Sequence, residues 1–131
     1  MREKHIKNTV KNQKDVSIHI GSKHQGDSIK VDEILYLEAY QNYTIIYHQS
    51  GKRFIGSKPL KHYEDLLSEK DFVRIHRSFL VHLRHVKEYE CKYRLLHLSG
   101  NRMLSVSHRK KYHISRIIHQ NKLQIATGKV A

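Results

Sequence analysis

The sequence predicts a mainly β domain with one short central helix and one helix at the C-terminal end. Three observations carry that expectation. From Val16 onward, strand-like runs of four to seven residues alternate with clusters of Gly, Asn, Asp, Ser and Gln. One segment, Ser57 to Asp71, has apolar residues at helical spacing instead. The stretch Phe72 to Leu83, FVRIHRSFLVHL, is apolar on both sides of His76-Arg77-Ser78. A chain that enters the core on either side of three polar residues leaves them at a surface, on a rigid mount suited to a binding loop.

Taken in order, residues 1–15 are polar and charged and are expected to form a flexible lead, a short helix or a linker. Val16-Ser17-Ile18-His19-Ile20 has period two and reads as a half-buried strand, followed by a turn-rich stretch from Gly21 to Asp27 and a short strand from Ser28 to Val31. Ile34 to Ala39 and Tyr43 to Tyr47 are strands around a tight turn at Gln41-Asn42, where Asn42 can supply a positive φ. Gln49 to Lys52 turns the chain into Arg53 to Gly56. The central helix is expected to be capped by Ser57, with Pro59 in its first turn, Leu60, Tyr63, Leu66 and Leu67 on its apolar face, and Glu64 and Asp65 on its polar side. After the Phe72–Leu83 stretch come strands at Val86 to Tyr89, Tyr93 to Leu98 and Met103 to Val106, the last two joined by a turn at Ser99 to Arg102. Ser107 is placed as the cap of a final helix reaching about His119, with Ile114, Ile117 and Ile118 facing the core. The domain is thus expected over 16–119, with a frayed tail over 120–131.

With 131 residues and 38% hydrophobic content, the chain suits one domain with one core. No apolar run approaches the roughly 20 residues that cross a bilayer, and the N-terminus lacks the apolar core of a secretory signal. A single cysteine, Cys91, read as a strand thiol, leaves no intrachain disulfide and fits a reducing, cytoplasmic setting. Charge is uneven: residues 1–15 hold five basic and two acidic residues, 16–90 eleven and ten, and 91–131 nine and none. The last third therefore carries +9 of the net +13, which points to a polyanionic partner, nucleic acid ahead of an anionic membrane.

Twelve histidines invite a metal reading, and His82-Leu83-Arg84-His85 has paired spacing. Arg84 between the two rings and the shortage of further ligands argue against zinc, and the histidines read as surface donors. No phosphate-binding glycine loop or nucleophile motif is present, the acidic pairs Asp32-Glu33 and Glu64-Asp65 point apart, and no enzyme or cofactor is expected. Three loops fit nucleic acid better: Tyr40-Gln41-Asn42-Tyr43-Thr44, His76-Arg77-Ser78 and Ser107-His108-Arg109-Lys110-Lys111. Arg can fork onto guanine, Asn onto adenine, and Lys or Ser can meet phosphate.

Four segments, ILYLEAYQNYTIIY, SKPLKHYEDLL, FVRIHRSFLVHLRHVKEYE and LLHLSGNRMLSVSHRKKY, carry a further signal in their order. Over about residues 16–119 the chain resembles the LytTR DNA-binding domain, the output module of many bacterial response regulators. The resemblance implies an elongated arrangement of small β-sheets whose loops enter successive major grooves of double-stranded DNA at direct repeats. It places contacts at Asn42, Tyr43 and Thr44, at His76, Arg77 and Ser78, and at Ser107, His108 and Arg109; Lys58, Lys110 and Lys111 complete the expected DNA-binding set. This chain departs from the family pattern at His82, where Asn is common, and at His108, where Arg is common; its Arg109 stands one place later. No acidic receiver domain precedes the module, so a stand-alone regulator or a fragment of a response regulator is expected, with a receiver or regulatory protein as partner. The alternatives are a non-specific RNA- or polyanion-binding module and, more remotely, a histidine-based metal enzyme.

Overall fold

The strand β1 (Ser17–Gly21) alternates Ile18 and Ile20 inward with Ser17 and His19 outward, and pairs antiparallel with β2 (Gly26–Lys30), setting Ile18 opposite Ile29. This hairpin opens a computed structural model of the chain that describes residues 16–21 and 25–130, with side chains through Asn121. The expected lead over 1–15 and residues 22–24 of the first turn lie outside the described residues.

After a 3₁₀ turn at Val31–Glu33 come β3 (Ile34–Tyr40), β4 (Tyr43–His48) and β5 (Arg53–Gly56). Helix α1 (Leu60–Leu66) follows, then β6 (Phe72–His76) and β7 (Phe79–His82). These five strands form one antiparallel sheet in the order β5-β4-β3-β7-β6. β8 (Val86–Glu90), β9 (Leu95–Leu98) and β10 (Arg102–Ser105) form a second meander, and α2 (Lys111–Val130) ends the described chain.

The central strand β3 is buried on both faces, which is why it reads as an unbroken apolar run. Ile34 and Leu37 join the β1–β2 hairpin and α1 on one side, with Leu80 and Leu67. Leu35 and Tyr36 face the other side, against Leu96, Leu98, Val106 and Ile114. A register irregularity between Ile34 and Tyr36 turns two consecutive residues to the same face. The result is three layers: hairpin and α1, central sheet, then β8–β10 with α2. The expected mainly β fold, with its small sheets and two helices, is the fold observed.

Several local expectations are corrected. Gln41, not Asn42, takes the positive φ of the β3–β4 turn, at 55°. Ser57 makes no capping bond; Pro59, extended at ψ 162°, occupies the cap position of α1. Leu66 is half exposed, because a helix of under two turns lays only Leu60 and Tyr63 on the sheet, followed by Leu67. Tyr93 is not in a strand: Cys91–Tyr93 is a 3₁₀ turn closed by Arg94 in the left-handed region, so Cys91 is a turn thiol. Ser107 precedes a 3₁₀ turn at His108–Lys110 without a side-chain cap, and α2 begins only at Lys111 and continues past His119.

Candidate nucleic-acid interface

Strand pairing alone gathers the candidate loops. β3 ends where β7 begins, with Glu38 opposite Phe79 and the Ala39 amide donating to the Ser78 carbonyl at 2.9 Å. The β3–β4 and β6–β7 turns therefore leave the same end of the central sheet. β5 ends there as well, with Gly56 opposite Thr44, so the link through Lys58 to α1 joins them. The third loop arrives from the other meander: the Ser107 amide donates to the Ile75 carbonyl at 2.9 Å, fastening it to the end of β6.

At the β6–β7 turn, Arg74 supplies the framework. Its Nε donates to the His76 carbonyl at 2.9 Å, a terminal nitrogen donates to the Arg77 carbonyl, and the other donates to Glu64 Oε1 at 2.7 Å. Within the turn the Ser78 amide donates to His76 Nδ1 at 3.0 Å. That bond makes Nδ1 an acceptor, so a neutral His76 ring carries its proton on Nε2. Glu64 is thus no solvated helix residue; it pairs with Arg74, while Asp65 pairs with Lys61 at 3.3 Å.

An open cleft of about 450 Å³ lies between the second and third loops, lined by Arg74, His76, Arg77, Ser107, Arg109 and Lys110, with Glu64 its one acidic neighbour. Arg77 and Arg109 are exposed, and neither guanidinium has a hydrogen-bond or ion-pair partner among the described residues. Two unneutralised guanidinium groups from different loops on one cleft make an anion-attracting surface. Arg109 lines this cleft; His108 is exposed but does not line it.

Two expected contacts, Thr44 and Lys110, have their side chains engaged within the protein. Thr44 is fully buried, and its hydroxyl donates to the Lys58 carbonyl at 2.9 Å, so it ties two loops together rather than facing a ligand. Lys110 is half-buried and its ammonium donates to the Arg74 carbonyl at 2.9 Å. Burial lowers the Lys110 pKa, Glu64 opposes that shift, and Arg74 and Arg109 add to it. Asn42, Tyr43, Lys58 and His108 stand exposed, and Lys111 is half-buried with its ammonium 5.4 Å from the Tyr112 ring centre. Reading the sequence alone misses Arg74 and Glu64. Arg74 is visible there only as a charge interrupting an apolar strand, and its partner lies ten residues earlier on a helix.

The histidines are not all surface donors. His82 is fully buried, donates from Nδ1 to the Ile34 carbonyl at 2.9 Å, and stacks on Phe72 with ring centres 4.4 Å apart. His85 Nε2 bonds the Asp32 carbonyl at 2.9 Å, so the paired histidines are engaged with backbone. Among the described residues no three His, Cys, Asp or Glu side chains gather as a metal site, and no helix is long and apolar enough to cross a membrane.

Comparison with known proteins gives three findings. A family model described as the LytTr DNA-binding domain matches residues 27–119. Two Staphylococcus aureus proteins named transcriptional regulatory protein LytR, from strains USA300 and COL, are each 31% identical over 62 residues. Those matches cover 47% of this chain and 25% of each relative, so the chain spans about a quarter of the length of these relatives. A solved LytTr DNA-binding domain, from a Bacillus cereus protein described as a methyl-accepting/DNA response regulator, superposes with a TM-score of 0.62. It is 23% identical, covers 77% of this chain and 92% of its own, and shares the fold.

Proposed function

The chain belongs to the LytTr DNA-binding domain family, and from that premise we propose that it is a sequence-specific DNA-binding transcriptional regulator, acting alone or as the output domain of a response regulator. The observation that carries the reading is the cleft where exposed Arg77 and Arg109 meet from two loops, their guanidinium groups without partners among the described residues. Arg77 reads a base edge in a major groove, Arg109 meets the same strand at a base or phosphate, and Asn42 and Tyr43 reach the adjacent groove. Lys58, Lys111 and His108 flank these loops and contact the backbone. Ser78 and Ser107 hold the loops' backbone and meet phosphate with their hydroxyls. Two copies occupy two direct repeats on one face of the duplex, and each is a monomer in the absence of DNA.

The test is selection of bound duplexes from a randomised pool, followed by titration at several salt concentrations. The expected result is one enriched motif present twice in the same orientation, with log K falling by about 0.9 per phosphate neutralised for each unit of log salt. Inserting about half a helical turn between the repeats should weaken joint occupancy. The +9 charge of residues 91–131 supports a second reading, a non-specific polyanion binder. Equal affinity for every duplex and for single-stranded RNA would favour that reading over ours.

A further inference from the structure

We propose that Arg74 is the positioning residue of the recognition turn. It aims Arg77 without itself contacting DNA, so that the chain's preference between sequences depends on it more than general DNA affinity does. The inference rests on the DNA-binding reading above and goes beyond it by assigning selectivity to a residue outside the contact set.

The argument is geometric. A residue's Cα–Cβ direction is set by the two peptide planes that flank its Cα. For Arg77 those planes carry the carbonyls of His76 and Arg77. Arg74 donates to both, one from Nε at 2.9 Å and one from a terminal nitrogen. The Ser78 amide, in the second of those planes, is held by His76 Nδ1 at 3.0 Å. Both planes beside Arg77 are therefore pinned, and the direction in which its side chain leaves the turn is fixed before any ligand arrives.

Arg74 is itself held at both ends. Its remaining terminal nitrogen meets Glu64 of α1 at 2.7 Å, and its own carbonyl receives the Lys110 ammonium at 2.9 Å. Its side chain is only 19% exposed. Arg74 thus joins α1 and the recognition turn through its guanidinium, whose three nitrogens are all engaged within the protein, and joins the third loop through its own carbonyl. Only a planar fork can reach two consecutive carbonyls and a carboxylate together; a lysine ammonium presents its donors from a single atom.

The test uses the full chain and duplexes selected with the wild type, each paired with a scrambled duplex at one salt concentration. Arg74→Lys, which keeps the charge, should lower the ratio of selected to scrambled affinity about tenfold and leave scrambled affinity within about twofold. Glu64→Gln, which keeps an acceptor and removes the charge, should give a smaller loss in the same direction. The deciding readout is a double-mutant cycle. In an Arg77→Ala background, Arg74→Lys should lower selectivity no further, because it acts through Arg77. Additive losses, or a folded Arg74→Lys with wild-type selectivity, would overturn the proposal. If Arg74→Lys does not fold, unchanged selectivity in Glu64→Gln overturns it. A wild type that enriches no sequence from the pool sinks the DNA-reading premise, and the proposal falls with it.

Discussion

In the β6–β7 turn, the carbonyls of His76 and Arg77 are held by Arg74, and the Ser78 amide is held by His76. In the β3–β4 turn, Gln41 sits at φ 55° and Asn42 is exposed, and no side chain bonds to either among the described residues. Its nearest brace is the Thr44 hydroxyl on the Lys58 carbonyl, one strand position inside. Both turns leave the same end of one sheet, yet side chains lock the backbone of one, whereas the other is closed by the pairing of Tyr40 with Tyr43. Ordering a loop or side chain on binding costs free energy that a held one does not lose. The first turn is thus suited to selecting, and the second to following.

The largest predicted effect tests that contrast directly. Arg77→Ala should cost about 1–3 kcal/mol on a selected duplex and far less on a scrambled one, relaxing preference at one position per repeat. Asn42→Ala should cost about 1 kcal/mol or less, since part of any contact it makes is offset by ordering its side chain. Titration of both variants on both duplexes checks this; a larger loss at Asn42 would reverse the assignment of roles.

A second substitution loosens only the less braced side. Gly56 ends β5 before the Lys58 link, and a Cβ placed there would overlap the Tyr63 hydroxyl and stand 2.9 Å from its Cζ. Tyr63 is buried, with 4% exposure, so its ring has little room to yield. Gly56→Ala should destabilise the fold by about 1–3 kcal/mol, the usual cost of overpacking. Denaturant unfolding measures the loss, and hydrogen exchange should rise around Asn42 more than around Arg77.

These two turns also mark what the sequence could and could not disclose. The strands were legible because alternation and turn residues are local: Ile18 and Ile20 point inward just as their spacing requires. The face of Leu35 was not, because period two places it opposite Tyr36 and the irregular register puts both on one side. Tyr93 resembles a strand residue, but the left-handed Arg94 closes a turn there instead. At the site, the loops were visible as polar breaks in apolar runs. The division of labour inside them was not, because it depends on contacts between distant segments: Thr44 with Lys58, Arg74 with Glu64, Lys110 with Arg74. Burial decides which polar residues face a ligand, and it is a property of three-dimensional packing.

The pH dependence of stability should report on the braced half of the sheet. His82 ends β7, and burial holds its pKa below the ordinary value of 6.5. Its bond to the Ile34 carbonyl and the nearby Asp32 oppose the shift, while His85 and Arg84 add to it. The unfolded chain therefore takes up a proton at a higher pH than the folded chain does. Stability from this group is fully present above the unfolded value and declines as pH falls from there toward the depressed folded value. The steepest slope for one proton is about 1.4 kcal/mol per pH unit. Unfolding curves across that window should show the decline, and His82→Asn should flatten it if the variant folds. An unchanged slope in that variant would place the titration elsewhere.

The smallest effect concerns Thr44, where the sequence and the structure give different roles. The family resemblance places Thr44 among the DNA contacts, but this side chain is fully buried and its hydroxyl is committed to the Lys58 carbonyl. Thr44→Val keeps the shape and removes the donor. The loss should be about 1 kcal/mol of stability, the net worth of one intramolecular hydrogen bond. It should fall toward the lower end of the usual range if water can reach the carbonyl of exposed Lys58. The ratio of selected to scrambled DNA affinity should stay at the wild-type value, because the hydroxyl faces another loop and not the duplex. Thermal unfolding and the two-duplex titration are read together. A drop in selectivity at unchanged stability would mean that Thr44 turns outward when DNA binds, making the β3–β4 turn a mobile reader instead of a passive follower.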